Sequence, residues 1–188
     1  MMKYVKPVLV LSIITTIVSA LLIVTYNLTY VDTSGVITDA LREKCVSLMG
    51  EGGFEIVTDW TDEGYNISKP DNIERLIKKN DGTLAFEIIT SGYNKNGLNL
   101  LIAMNENGSI KGISIVSISE TPGLGTKVNS PDFLNNFIGL SESVEIVKNT
   151  PSAANEVEAV TSATYSSKGV ADAINIAIET YREMGAIK

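Results

Sequence analysis

The chain has 188 residues, a formal net charge of −7, one cysteine and no histidine. A single thiol excludes an internal disulfide, and without a CxxC pair or any histidine there is no thiolate iron–sulfur or zinc site, no His-ligated haem and no Ser-His-Asp chemistry. Setting aside Lys3 and Lys6, the two charges of the first thirty residues, leaves −9 on the remainder, which argues against nucleic acid as a partner.

Residues 7–26, PVLVLSIITTIVSALLIVTY, carry no charge. At about 1.5 Å per residue they span about 30 Å, the thickness of the hydrocarbon core of a bilayer. Lys3 and Lys6 precede the run and Asp32 is the first charge after it. The positive-inside rule therefore places residues 1–6 in the cytoplasm and residues 27–188 outside, in a single pass. Tyr26 and Tyr30 fall where interfacial aromatic residues belong. Val18-Ser19-Ala20 looks like a signal-peptide cleavage site, but the apolar run continues through Leu21, Leu22, Ile23 and Val24, which favours an uncleaved anchor. Ser12, Thr15, Thr16 and Ser19 form one weakly polar stripe at helical spacing. It either faces a partner helix or spends its hydroxyls on carbonyls one turn back.

Residues 27–53 are expected to connect the anchor to a domain at 54–188. Asp32 to Ser34 offer helix caps, Ile37, Leu41, Cys45 and Leu48 recur at helical period, and Gly50 ends the run. Cys45 then sits on an apolar face as an inert thiol. Residues 54–60 read as a strand. Residues 70–79 read as a short helix with Ile73, Leu76 and Ile77 inward and Arg75, Lys78 and Lys79 on a solvated face. Strands follow at 84–90, 98–104 and 109–118, with Asn107-Gly108 read as a type I′ hairpin turn. Ser130-Pro131 opens a helix bearing Phe133, Leu134 and Phe137, and 143–148 is a further strand. Val170, Ala173, Ile174, Ala177, Ile178 and Tyr181 mark a last amphipathic helix closed by Gly185. The fold class is α+β: a single N-terminal transmembrane helix, then an antiparallel sheet with flanking helices.

Two segments carry possible chemistry. Five of the seven residues from Thr161 to Ser167 are Ser or Thr, just before the last helix. A helix start offers unpaired amides and the positive end of the dipole to an anion, with Lys168 nearby; the same hydroxyls also suit plain N-capping. The second segment is Glu120-Thr121-Pro122-Gly123-Leu124-Gly125. Pro at i+1 and Gly at i+2 suit a type II turn, and the two glycines let a flat ligand approach the backbone; a plain loop is the simpler alternative.

In this order and spacing, ETPGLGTK at 120–127 and the motif at 158–164 resemble the G subunit of the Rnf complex, an ion-translocating ferredoxin:NAD⁺ oxidoreductase, within the FMN-binding domain family. The C subunit of the sodium-translocating NADH:quinone reductase is a related member. The family motif D-x-x-S/T-G-A-T receives FMN on its final threonine from a flavin transferase that uses FAD. Here it reads Glu158-Ala159-Val160-Thr161-Ser162-Ala163-Thr164, with Glu for Asp and Ser for Gly. The resemblance implies a phosphoester-linked FMN on Thr164, flanked by Thr161, Ser162, Ala163 and Tyr165. It also places Glu120, Thr121, Gly123, Leu124 and Gly125 beside the flavin. It implies no metal and no catalytic base in this chain, an electron-relay role, and other Rnf subunits, the flavin transferase and the lipid bilayer as partners. A stand-alone membrane-tethered flavoprotein and a surface-anchored assembly module without flavin are the alternatives.

Overall fold

The computed structural model describes residues 2–29, 35–61, 64–65 and 67–185, with side chains from residue 6 onward. The chain divides into two units, Met1–Thr33 and Ser34–Lys188.

The first unit is one helix, α1 (Met2–Thr29). Its stretch Lys6–Thr29 has a mean hydropathy of 2.7 and is long and apolar enough to cross a membrane. Of the hydroxyl stripe, Ser12 donates to the Val8 carbonyl at 2.9 Å, and Thr15 and Thr16 both donate to the Ser12 carbonyl at 3.0 and 2.8 Å. Those three side chains spend their protons within their own helix. Tyr30, the expected interfacial aromatic, lies outside the described residues.

The second unit begins with α2 (Asp39–Met49). The expected caps at 32–34 lie outside the described residues. Thr38 serves instead, accepting the Leu41 N–H at 3.3 Å. Gly50 ends the helix at φ 80°. A five-stranded antiparallel sheet follows in sequence order: β1 (Phe54–Val57), β2 (Ile73–Lys79), β3 (Leu84–Thr90), β4 (Leu98–Met104) and β5 (Ile110–Ile118). Then come α3 (Pro131–Leu134), the parallel pair β6 (Glu145–Val147) and β7 (Glu156–Glu158), and α4 (Thr164–Glu183). The pair β6–β7 confirms the strand expected at 143–148 and adds a partner that leads directly into the 158–164 motif.

Three local expectations are corrected. Residues 73–79 are a strand, not a helix. A bulge between Ile73 and Arg75 shifts the register against β3, so Ile73 and Leu76, three apart, join one core while Ile77 joins the other. That spacing imitates the i, i+3 pattern of a helix. The basic residues are accordingly not on a free face: Arg75 pairs at 2.6 Å with buried Glu87 and Lys79 at 2.9 Å with Asp81. The β4–β5 connection is not a type I′ turn, because Gly108 has φ 77° while Asn107 is not among the positive-φ residues. Gly108 N–H reaches the Asn105 carbonyl at 3.0 Å, and Asn107 Oδ1 accepts the Ser109 N–H at 3.1 Å. This is a three-residue loop with a left-handed Gly. Finally, the strand at 54–60 stops at Val57.

The sheet separates two cores. On one face Phe86, Ile88, Leu100 and Ile102 meet Val170, Ile174, Ala177 and Ile178 of α4. On the other, Ile77, Ala85, Leu101 and Ala103 meet Leu41, Cys45 and Met49 of α2. The seat of α4 depends on Gly169. A Cβ there would lie 2.6 Å from the Ser91 carbonyl oxygen and 2.7 Å from Leu98. Thr90 Oγ1 donates to the Gly169 carbonyl at 2.9 Å. These contacts fix the start of α4 beside the 91–97 loop.

Candidate functional site

A cleft of about 410 Å³ lies at the start of α4, lined by Tyr93, Thr121, Leu124, Gly125 and residues 162–166. Its size is ordinary for a small-molecule site. No side chain in this lining carries a formal charge. The lining therefore offers a ligand amides, hydroxyls, apolar contacts and the positive end of a helix dipole.

Thr164 is the first residue of α4, and its N-cap, Ala163, has no side-chain capping bond. Within α4 the first N–H that reaches an acceptor one turn back is that of Ser167, at 2.8 Å from the Ala163 carbonyl. The amides of Thr164, Tyr165 and Ser166 precede it, and the first turn of a helix leaves such groups without intrahelical partners. The hydroxyls nearby are used elsewhere. Ser167 donates to the Ala163 carbonyl at 3.0 Å and accepts the Val160 N–H at 3.0 Å. Ser166 donates to Glu120 at 2.6 Å. Plain N-capping, one explanation for the run of Ser and Thr, is thus not what they do. The twenty-residue α4 presents an open, electropositive end to the cleft.

Ser162, which stands where the family motif has Gly, has φ 66°. This is the left-handed region, which costs a residue with a Cβ roughly 1–2 kcal/mol. The backbone conformation explains why glycine suits that place.

Opposite α4, Pro122 and Gly123 form the expected turn: Leu124 N–H reaches the Thr121 carbonyl at 3.2 Å, and Gly123 has φ 74°. Gly123 N–H also donates to Thr126 Oγ1 at 3.0 Å. Thr121, Leu124 and Gly125 line the cleft, as do Ser162, Ala163, Thr164 and Tyr165. Gly123 and Thr161 are exposed and are not in the lining.

Glu120 is also absent from the lining. It is 5 % exposed. Its carboxylate accepts the Tyr93 N–H at 3.0 Å, the Asn94 N–H at 3.1 Å and the Ser166 hydroxyl at 2.6 Å. Glycines crowd it on three sides. A Cβ on Gly92 would lie 2.8 Å from the carboxylate, one on Gly125 equally close, and one on Gly97 closer still. Glu120 is a buried clasp that ties the β3–β4 loop to the start of α4.

The clasp brings in Tyr93, which sequence reasoning missed together with Ser166. Tyr93 is 72 % exposed and Tyr165 70 %, and their rings meet edge-on with centroids 6.4 Å apart. The available signal was an aromatic residue in a Gly- and Asn-rich loop, Ser91-Gly92-Tyr93-Asn94-Lys95-Asn96-Gly97. Among the described residues no group of His, Cys, Asp or Glu is placed to hold a metal.

The residues present suit a phosphorylated planar cofactor: open amides at a helix start for the phosphate, a bare Gly125 backbone, and an aromatic wall. Residues 92–179, which contain both the loop and the motif, match the family described as FMN-binding domain. The likeness to the G subunit of the Rnf complex is borne out. The chain is 32 % identical to the G subunit of the Na⁺-translocating ferredoxin:NAD⁺ oxidoreductase complex of Acetobacterium woodii over 126 residues, 63 % of this chain and 60 % of that protein. The match thus spans about three-fifths of that relative. The G subunit of the ion-translocating oxidoreductase complex of Methanosarcina acetivorans is 25 % identical over 182 residues, 93 % of this chain and 92 % of that one. Among solved structures, the C subunit of the Na⁺-translocating NADH-quinone reductase of Parabacteroides distasonis has 23 % identity and a TM-score of 0.49, covering 83 % of this chain and 85 % of that one.

Proposed function

We propose that this chain is the electron-relay subunit of a membrane-bound, ion-translocating ferredoxin:NAD⁺ oxidoreductase of the Rnf type, working through FMN esterified to Thr164. The observation that carries this reading is the position of Thr164: it opens an uncapped helix N-terminus inside a cleft walled by aromatic residues. The names of the relatives supply the complex. The apolar helix α1 supplies the anchor, with the N-terminus cytoplasmic and the domain beyond residue 34 on the extracytoplasmic side.

Attachment would join Thr164 Oγ to the phosphorus of the FMN half of FAD, with AMP as the leaving group and the hydroxyl proton taken by a base of the flavin transferase. The amides of Thr164, Tyr165 and Ser166 and the dipole of α4 would hold the single negative charge of the phosphodiester. Gly125 and the Thr121–Leu124 turn would give the ring access to backbone, and Leu124, Tyr93 and Tyr165 would flank it. Bound there, FMN supplies the electron-carrying chemistry, and the protein positions the ring and tunes its surroundings. A covalent tether suits a domain outside the cell, where a dissociated cofactor would be diluted away. The absence of histidine fits a relay that needs no general base.

The test is capture of tagged chain from detergent-solubilised membranes of cells that also express the other subunits and the flavin transferase. The expected result is co-purification of those membrane subunits and a flavin-fluorescent band for this chain that persists after denaturation. A fluorescent chain recovered without membrane partners would contradict the assignment to a complex.

A further inference from the structure

Tyr93 combines two properties that rarely occur together. Its ring is largely exposed, yet its backbone is held firmly. Glu120 accepts its amide at 3.0 Å and that of Asn94 at 3.1 Å. Asn96 N–H reaches Ser91 Oγ at 3.0 Å, Gly97 N–H reaches the Asn94 carbonyl at 3.2 Å, and Ser119 N–H reaches the Gly97 carbonyl at 2.7 Å. Burying a carboxylate costs several kcal/mol unless its lone pairs are filled. Here the filled lone pairs hold the base of an exposed aromatic side chain at the mouth of a cleft. An exposed tyrosine in an ordinary loop has no need of such an arrangement.

The second aromatic side chain, Tyr165, comes from the residue after Thr164. Its ring meets Tyr93 at 68°. The two tyrosines and Leu124, itself 45 % exposed, line the cleft together with small and hydroxyl residues. Large exposed apolar groups gathered around a concave site mark a ligand surface. Aromatic walls take planar rings in offset stacking.

We propose that Tyr93 is a positioning residue for the flavin ring, forming one wall of its site with Tyr165, and that Glu120 acts through Tyr93 by fixing that wall. This deepens the FMN reading and rests on it. Thr164 secures the phosphate end of the cofactor. The clasp from Glu120 to Tyr93 sets the ring end.

The experiment uses the full-length chain in detergent, matured with a flavin transferase. The covalent flavin load, the visible circular dichroism of the flavin and the quenching of its emission by iodide are measured. Each signal in Tyr93→Ala is read per covalently bound flavin, so a change in load does not enter the comparison. Iodide quenching should rise roughly two- to tenfold, the population change that ordinary stacking energies produce, and the visible dichroism should shrink. Tyr93→Phe, which keeps the wall, should retain both signals. Glu120→Gln presents an amide N–H to a backbone N–H and should expose the ring partially; adding it to Tyr93→Ala should expose the ring little further. Tyr93 is a surface residue, so its variants remain informative should Glu120→Gln unfold. Wild-type accessibility and dichroism in Tyr93→Ala would overturn the proposal, as would Tyr93→Phe behaving like Tyr93→Ala. A wild-type chain that takes up no flavin would refute the cofactor reading beneath it instead, and the load measurement separates the two failures.

Discussion

Ser166 Oγ donates a 2.6 Å hydrogen bond to Glu120, joining the first turn of α4 to the loop that follows β5. Both side chains are buried, and the same carboxylate holds two amides of the 91–97 loop. Three segments far apart in sequence meet at one carboxyl group. Glu120→Ala strands three donors and should destabilise the chain by about 2–4 kcal/mol, whereas Ser166→Ala, which leaves two of the three bonds, should cost about 1–2 kcal/mol. Urea unfolding of the detergent-solubilised chain measures both. Equal losses in the two variants would mean that the carboxylate is not the hub.

The glycines around Glu120 make a second prediction. An added Cβ on Gly125 would lie 2.6 Å from Ser166 Oγ and 2.8 Å from a Glu120 oxygen. Gly125→Ala should therefore cost roughly 1–3 kcal/mol through overpacking. Gly35→Ala, with nothing within 4 Å of the new methyl, serves as the control and should leave stability unchanged. Because Gly125 and Glu120 share one contact, Gly125→Ala and Glu120→Ala should combine to less than the sum of their separate effects.

Ser162→Gly should stabilise the chain. The native φ of 66° is strained for serine and free for glycine, which gives a gain of about 1 kcal/mol after the extra backbone entropy of glycine is deducted. Ser162→Val should lose more than that, since a β-branched side chain fits the left-handed region least. Denaturation midpoints check both signs.

Cys45 gives a prediction in pH. Burial, with the Glu87 carboxylate as a second cause, pushes its thiol up to about 11 from 9.0. Folding thus favours the neutral thiol, so this contribution is fully present below pH 9 and is lost as pH rises from 9 to about 11. Cys45→Ala should flatten the stability profile over that window. A water-soluble maleimide should leave the native chain unlabelled and react once it is unfolded.

The sequence is most legible where one period runs unbroken. The expected strands at 84–90 and 98–104 coincide with β3 and β4, because both are apolar runs bounded by polar turns. Residues 73–79 mislead because the bulge at Ile73–Arg75 makes a strand show helical spacing. The site is legible where it is local: Thr121, Leu124, Gly125 and the residues flanking Thr164 lie in two short motifs and line one cleft. Tyr93 is not, since nothing near it in sequence reveals that Glu120 draws its loop to the start of α4. Glu120 itself stands out in the sequence but as a neighbour of the ring, because a motif shows which residues recur together and not which of them face inward.

The attachment of FMN to Thr164 is the central claim, and a peptide mass map tests it most directly. The chain is matured with a flavin transferase, denatured and digested with trypsin, which cuts after Lys148 and Lys168 and releases residues 149–168 as one peptide. The account predicts that this peptide carries the added mass of FMN less water, that fragmentation places it on Thr164, and that Thr164→Ala removes it. An unmodified peptide in the wild-type chain, or flavin that persists on this peptide in Thr164→Ala, would contradict the account.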